Sequence, residues 1–441
     1  MAARSARTEG DLSVEGRAPF LHPGAKLPFV LLISCFIAWG TVANMTDPLV
    51  SVFRTVFSMS NLQSALVQFC YYGSYFLLAL PAAFINRRFS YKTGVLLGLG
   101  LAIAGAALFY PAAQVMTYGM FLLALFTLAG GLSILETSAN PFVMSMGPEA
   151  SATRRLNLAQ AFNPVGTNIG VFLAATLILP QLNSATAQER AALAPEALRA
   201  VRSEELNAVM APYLGVGVVL AIIWIGIASV KMSDHPGTAI QEGHETHLLA
   251  TLKRLMANRH YRFGVIAQFF NVGAQTCAWT FTLQYAAEAV EATAVEQGRW
   301  LQASLLVFLA SRFLMVWLMG HVSGAFLMLV MTVLAVVLCT VAVVLPNLIG
   351  LLAVVGLSLC LSLLFPTIYG IALEGLGEDT KFGAAGLVMA ILGGALLPLV
   401  HGATIDATSA TTAYLVPGAC FAVVAAYALF SLRAHRTTTA G

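Results

Sequence analysis

The chain has 441 residues, 59% of them hydrophobic and only 10% charged, with a mean hydropathy of +0.81. A soluble domain carries about 25% charged residues, so a chain this apolar cannot cover its surface with water-facing side chains, and membrane lipid must be its solvent. The net charge of +3 is small and scattered, which argues against a nucleic-acid partner. The six cysteines (Cys35, Cys70, Cys277, Cys339, Cys360 and Cys420) all fall in apolar runs, with no Cys–His cluster to seat a metal.

A membrane-crossing helix needs about 20 apolar residues, because the hydrocarbon core is roughly 30 Å thick and each residue rises about 1.5 Å. Residues 1–26 read as a polar tail with no short apolar core or small-residue cleavage site, so the tail is expected to stay on the protein. Apolar runs then follow near 27–50, 61–85, 93–113, 115–144, 156–181 and 210–232. A polar linker carrying Pro236 occupies 233–260. Six more runs lie near 261–287, 297–320, 324–345, 347–373, 382–405 and 410–433, and residues 434–441 form a second tail. The reading is an all-α polytopic membrane protein of twelve transmembrane helices, with an N-terminal six-helix half over 27–232 and a C-terminal half over 261–433. This is the layout of the major facilitator fold, whose halves rock about a site between them.

With twelve spans both tails share one side, and 17 of the 23 Lys and Arg residues fall there against five opposite. The positive-inside bias therefore puts both termini and the linker in the cytoplasm. The stretch from Asn183 to Ala208 reads as the one sizeable outer loop, rich enough in Glu, Arg and Ala to form a short surface helix.

An ionised side chain at mid-membrane costs about 2.5–3.5 kcal/mol on insertion scales. Of the twenty acidic residues, only Asp47 and Glu136 sit well inside apolar runs. Asp47 lies toward the outer end of span one, three residues after Asn44 and so on the same helical face. Pro48 removes a backbone donor beside it and is expected to loosen the helix. Glu136 lies deep in span four, in a stretch of small residues from Gly130 to Asn140 that lets helices approach closely. No base stands near it in sequence, so a proton is its cheapest neutraliser, which makes Glu136 a natural proton carrier. Pairing with Arg312 across the bundle is the alternative. Arg312 is the single base well inside a span, and its residue type fits a substrate contact, a gate or a snorkelling side chain equally.

A sugar needs many hydrogen-bond partners and an aromatic plate for its C–H face. Uncharged amides supply the first without a permanent charge to bury. The candidates are Asn44, Asn140, Gln160, Asn163, Gln268, Asn271 and Gln275, with Trp39 and Trp279 as plates. Each one taken alone serves equally well as interhelical glue.

Several stretches resemble the fucose:proton symporters of the major facilitator superfamily, a group that includes bacterial glucose and galactose carriers. They are Trp39-Gly40 through Asp47, Leu135-Glu136-Thr137-Ser138-Ala139-Asn140-Pro141-Phe142, Gly147-Pro148-Glu149, Arg155-Leu156-Asn157-Leu158-Ala159-Gln160 through Asn163, and Gln268-Phe269 with Val272-Gly273-Ala274-Gln275-Thr276. The resemblance implies uptake of a monosaccharide with protons as the coupling ion and no other cofactor, in a bacterial inner membrane. It implies that Asp47 and Glu136 change protonation during the cycle, and that Asn44, Gln160, Asn163, Gln275 and Trp39 surround the sugar. Three departures stand out: Pro48 follows Asp47, Pro164 follows Asn163, and Phe365 offers no hydroxyl where the family can carry Tyr. The turn from Asn86 to Lys92 sits where such carriers keep a basic cytoplasmic latch, which nominates Arg87 and Arg88 as gating residues. Gly320-His321-Val322-Ser323 takes its place in the second half.

No HExxH or GxSxG motif falls in the spans, which argues against an enzyme. An uncoupled or sodium-coupled sugar carrier and an exporter of another small molecule remain as alternatives. A monomer with membrane lipid as its surroundings is expected.

Overall fold

The computed structural model describes residues 19–56, 61–181, 189, 192–232 and 248–439. All regular structure among them is helical. The N-terminal half comprises α1 (Lys26–Val56), α2 (Asn61–Arg88), α3 (Tyr91–Val115), α4 (Tyr118–Ser145), α5 (Ala152–Gln160), α6 (Asn163–Leu173) and α7 (Pro195–Ser229). A short α8 (Leu248–Ala257) precedes α9 (Arg259–Thr280), α10 (Thr282–Val290), α11 (Ala294–Leu318), α12 (Gly324–Val344), α13 (Leu348–Leu373), α14 (Thr380–Met389), α15 (Gly393–Ala407) and α16 (Leu415–Thr439). Eleven stretches of the described residues are helices long and apolar enough to cross a membrane. The twelfth pass is α9, 22 residues long, whose Arg259, Arg262, Gln268, Asn271 and Gln275 dilute its apolar character.

Local chemistry sets the boundaries. Ser90 and Asn258 accept hydrogen bonds from the backbone N–H groups of Thr93 and Tyr261, both at 3.1 Å, and so start α3 and α9. Thr293 and Glu296 form a reciprocal capping box at the start of α11. The fifth apolar run is broken rather than continuous: α5 ends at Gln160 and α6 begins at Asn163, with Pro164 in its first turn. A proline there cannot donate to the preceding turn, so the chain restarts the helix. Pro48, by contrast, produces no break, and the backbone of α1 stays helical through it to Val56. The expected outer loop shrinks, because α7 starts at Pro195 with Glu196 in its first turn and runs 35 residues into the membrane. Residues 182–188 and 190–191 of that loop, and 233–247 of the linker, lie outside the described residues.

Small residues set the close contacts inside the N-terminal half. A Cβ on Gly98 or Gly105 of α3 would strike the α4 backbone at Leu135 or Leu128. Five of the six cysteines are buried and Cys70 is partly so. Lys92 donates to the carbonyls of Ala228 (3.2 Å) and Val230 (2.7 Å), which closes the end of α7.

The two halves meet at one end of the bundle, the end at which α1 begins and α16 finishes. His22 N–H donates to Met146 there (2.9 Å), and Phe430 of α16 packs on His260 of α9 with ring centroids 4.8 Å apart. At this end Phe382 of α14 meets Phe84 of α2 edge to face at 5.1 Å, while the Arg87 guanidinium lies 5.6 Å from the same ring. Lys381 in turn sits 5.3 Å over Tyr91 of α3. Asn157 of α5 donates to Thr367 of α13 at 3.2 Å, and Phe162 packs on Phe313 of α11 at 5.5 Å.

Candidate functional site

Glu136 is 2% exposed, and neither carboxylate oxygen has a hydrogen-bond donor at bonding geometry. Asn140 stands one turn further along α4, and the hydroxyls of Tyr75 of α2 and of Tyr369 of α13, the latter from the opposite half, lie within electrostatic range of Glu136. Asn140 accepts a hydrogen bond from the Gln160 amide (2.9 Å), so a buried amide pair joins α4 to α5 one turn from Glu136. On the other flank, Trp39 donates from Nε1 to the Tyr75 hydroxyl at 2.7 Å. The helix break at Ala161–Phe162 gives Gln160 and Asn163 their separate orientations. The small residues of α4 leave room for the cluster.

Arg312 does not pair with Glu136. It is buried on α11 with its Nε and one terminal nitrogen unpartnered, and its guanidinium lies 4.8 Å over the Phe308 ring. Phe308 meets Trp279 edge to face at 4.9 Å, and Trp279 donates to Ser358 at 3.1 Å. Arg312 therefore belongs to an aromatic cluster of the C-terminal half. Its burial against Phe308 is not the pose of a snorkelling side chain.

The other expected residues separate into two groups. Asn44 donates to the Gly40 carbonyl (2.9 Å) and to Thr167 (3.0 Å), and Asn163 donates to the Phe36 carbonyl (3.4 Å). Their amide nitrogens thus clamp α1 to α6. In the C-terminal half, Gln275 is partly buried on α9. Asn271 and Gln268, one and two turns earlier, are fully buried with both polar ends unpartnered. Asp47 lies on the helical backbone of α1, but its side chain is outside the described residues. Of the two latch candidates, Arg87 reaches across to Phe382, whereas the Arg88 guanidinium lies over its neighbour Phe89 at 5.9 Å.

Three residues escape a sequence reading. Tyr75 and Tyr369 look like ordinary apolar-run aromatics, and only packing brings them to Glu136. Arg155 looks like one more base of a cytoplasmic turn but is wholly buried. It donates to the carbonyls of Val143 (2.9 Å), Met144, Gly147 (3.0 Å), Pro148 (3.2 Å) and Phe20 (3.0 Å), and to Ser151. Val143, Met144, Gly147 and Pro148 belong to the α4 C-terminus and the following turn, where carbonyls lack a helical partner, and Phe20 to the segment before α1. The signal available beforehand was a base seven residues beyond Pro148, following the turn that ends α4.

A helical bundle whose halves close at one end, and which holds a buried carboxylate and buried amides near the middle of its spans, is a membrane carrier for a polar solute. No family model matches the chain. It is 39% identical over 412 residues to the L-fucose-proton symporter of Haemophilus influenzae, covering 91% of this chain and 95% of that one. It is 36% identical to the L-fucose-proton symporter of Escherichia coli, with 92% and 93% covered. A glucose/galactose transporter of Brucella abortus is 33% identical, with 89% and 91% covered. The crystal structure of the major facilitator transporter FucP in the outward conformation superimposes with a TM-score of 0.85 at 35% identity, over 92% of this chain and 99% of that one. The chain belongs to the fucose-proton symporter family of the major facilitator superfamily.

Proposed function

We propose that the protein imports a monosaccharide together with protons by alternating access, with L-fucose or a related hexose such as galactose or glucose as its substrate. The observation that carries this reading is Glu136: a fully buried carboxylate without a cation beside it, one turn from the Asn140–Gln160 pair. A proton neutralises such a group more cheaply than any partner within reach. The names of the relatives supply the substrate class.

In this cycle a proton from outside neutralises Asp47 and then Glu136. The sugar binds between the halves, on Gln160 and Asn140 from one side and Gln275 from the other, with Trp39 and Trp279 as plates. Asn44 and Asn163 present their carbonyl oxygens, since their amide nitrogens hold α1 and α6 together. Closure at the outer end then favours opening at the end where Phe382 now joins the halves. Coupling requires that proton and sugar each favour the occluded state. Both termini are assigned to the cytoplasmic side of a bacterial inner membrane by the distribution of bases, and the working unit is a monomer.

Uptake of labelled L-fucose, D-galactose, D-glucose and D-arabinose into proteoliposomes tests the reading, with and without an inward proton gradient. Wild type accumulates one sugar against its gradient. Glu136→Gln loses accumulation by about 100-fold, the lower end of what a positioned proton-transfer group contributes, and keeps downhill exchange. Gradient-independent movement that the substitution leaves untouched would remove the proton from the mechanism.

A further inference from the structure

Helix α8 is ten residues long and has two unlike faces. Thr251 and Leu255 are each 2% exposed and pack on the bundle. Leu249, Leu252 and Met256, spaced three and four apart, form an opposite stripe that is 81%, 38% and 55% exposed. Lys253 falls on the same stripe, one turn from Leu249. Such a stripe suits the acyl boundary of a bilayer. Asn258 caps α9, which starts at Arg259 and already turns Phe263 and Ile266 outward.

The rim of this stripe is basic. Lys253 and Arg259 are exposed. Arg262 folds back over Phe263 at 5.3 Å and donates to the Met256 carbonyl at 3.4 Å. The Phe430–His260 contact brings α16, and with it exposed Arg433, to the same corner. Among the described residues, Asp379 is engaged by Arg254 through two bonds of 2.7 and 2.9 Å, and Glu378 beside it also faces Arg254. That contact holds the Arg254 guanidinium still more firmly protonated.

We propose that α8 is an interfacial helix that binds anionic phospholipid, with Leu249, Leu252 and Met256 entering the acyl boundary and Lys253, Arg259 and Arg262 on the headgroup phosphates. The Arg254–Asp379 pair links this anchor to the turn before α14, whose Lys381 and Phe382 hold the two halves together. Lipid charge at α8 therefore bears on the closure between the halves.

Amide hydrogen exchange of residues 248–257 in the full-length protein tests the assignment without any sugar. Exchange is compared in vesicles of phosphatidylcholine and in vesicles that also contain phosphatidylglycerol. It slows by about tenfold or more with the anionic lipid, given roughly fivefold per cation near the surface. A combined Lys253→Gln, Arg259→Gln, Arg262→Gln variant abolishes the difference while retaining the wild-type melting temperature in detergent. Leu249→Ser with Met256→Ser raises exchange in both lipids, and that readout stands even where the charge variant folds poorly. Equal wild-type exchange in the two lipids overturns the proposal. So does equal slowing by inorganic phosphate in phosphatidylcholine vesicles, which would make the site one for a free anion.

Discussion

Helices α4 and α13 occupy matching places in the two halves and share an internal proline, Pro141 in one and Pro366 in the other. Five residues before the proline stands Glu136 in α4 and Leu361 in α13; one residue before it stands Asn140 in α4 and Phe365 in α13. The backbone plan is repeated while the chemistry is not. The N-terminal half carries the carboxylate and the buried amide pair, and the C-terminal half answers with Tyr369, Trp279, Phe308 and the ring-bound Arg312. A carrier of this design concentrates its proton chemistry on one rigid body and uses the other as an aromatic and amide wall. Only the N-terminal half must then tolerate a buried group that gains and loses a proton, while the buried cation of the other half rests on the Phe308 ring.

The two helices also end differently, and the largest predicted effect follows from that. The α4 carbonyls are held by Arg155, whereas α13 finishes with Gly375 in the left-handed region at φ +70°. Arg155→Ala strands at least two buried carbonyls, each costing about 1–3 kcal/mol, so a loss of about 4 kcal/mol in stability is expected in thermal melts of the purified carrier. Gly375→Ala forces a Cβ into that region and costs only about 1 kcal/mol. Equal losses at the two sites would mean that Arg155 is no more than a surface base.

Next in size is the insertion of the missing charge. Leu361 is fully buried, so Leu361→Glu places an unpartnered carboxyl where α13 offers no amide pair. Insertion scales set the cost at about 3 kcal/mol, read as a lowered melting temperature that recovers at acid pH as the carboxyl is neutralised. An undiminished melting temperature would show that the C-terminal half is as tolerant as α4, and the comparison would fail.

Much of this contrast was legible in the sequence. The spacing of apolar runs gave the passes, and the rarity of acids inside them singled out Glu136. The rest depended on partners far apart along the chain. Asn157 donates to Thr367 across 210 positions, and no periodicity announces such a meeting. Arg155 was hidden by its company, since a base in a turn ordinarily faces water. The amphipathic α8 was lost inside a polar linker because ten residues are too few to register as a span.

A smaller effect falls on the sugar side. Gln160 is 1% exposed and donates to Asn140. Gln160→Ala removes one amide from the buried pair, and a buried hydrogen-bond partner is worth about 1–1.5 kcal/mol. The KM for the transported sugar should rise about tenfold with little change in the maximal rate, the pattern of lost ground-state binding. A fall in the maximal rate at constant KM would instead tie Gln160 to the proton step.

The smallest effect concerns the seam between the halves. Phe382, 2% exposed, receives Phe84 edge-on and Arg87 over its face. Phe382→Leu keeps most of the buried carbon and removes the ring that both neighbours use. A cation–π contact at such a site is worth about 0.5–1 kcal/mol, and an edge-to-face pair a similar amount, so the population open at this end should grow roughly fivefold. Spin labels on Arg88 and Glu378, exposed on opposite sides of the seam, would report a larger long-distance fraction in their distance distribution. Arg88→Gln in an otherwise unlabelled carrier should leave transport unchanged, because its guanidinium stays within its own turn. An unchanged distance distribution for Phe382→Leu would move the closure to the Asn157–Thr367 contact and the Phe162–Phe313 pair deeper in the bundle, where the hold between halves would be one of packing rather than of charge on rings.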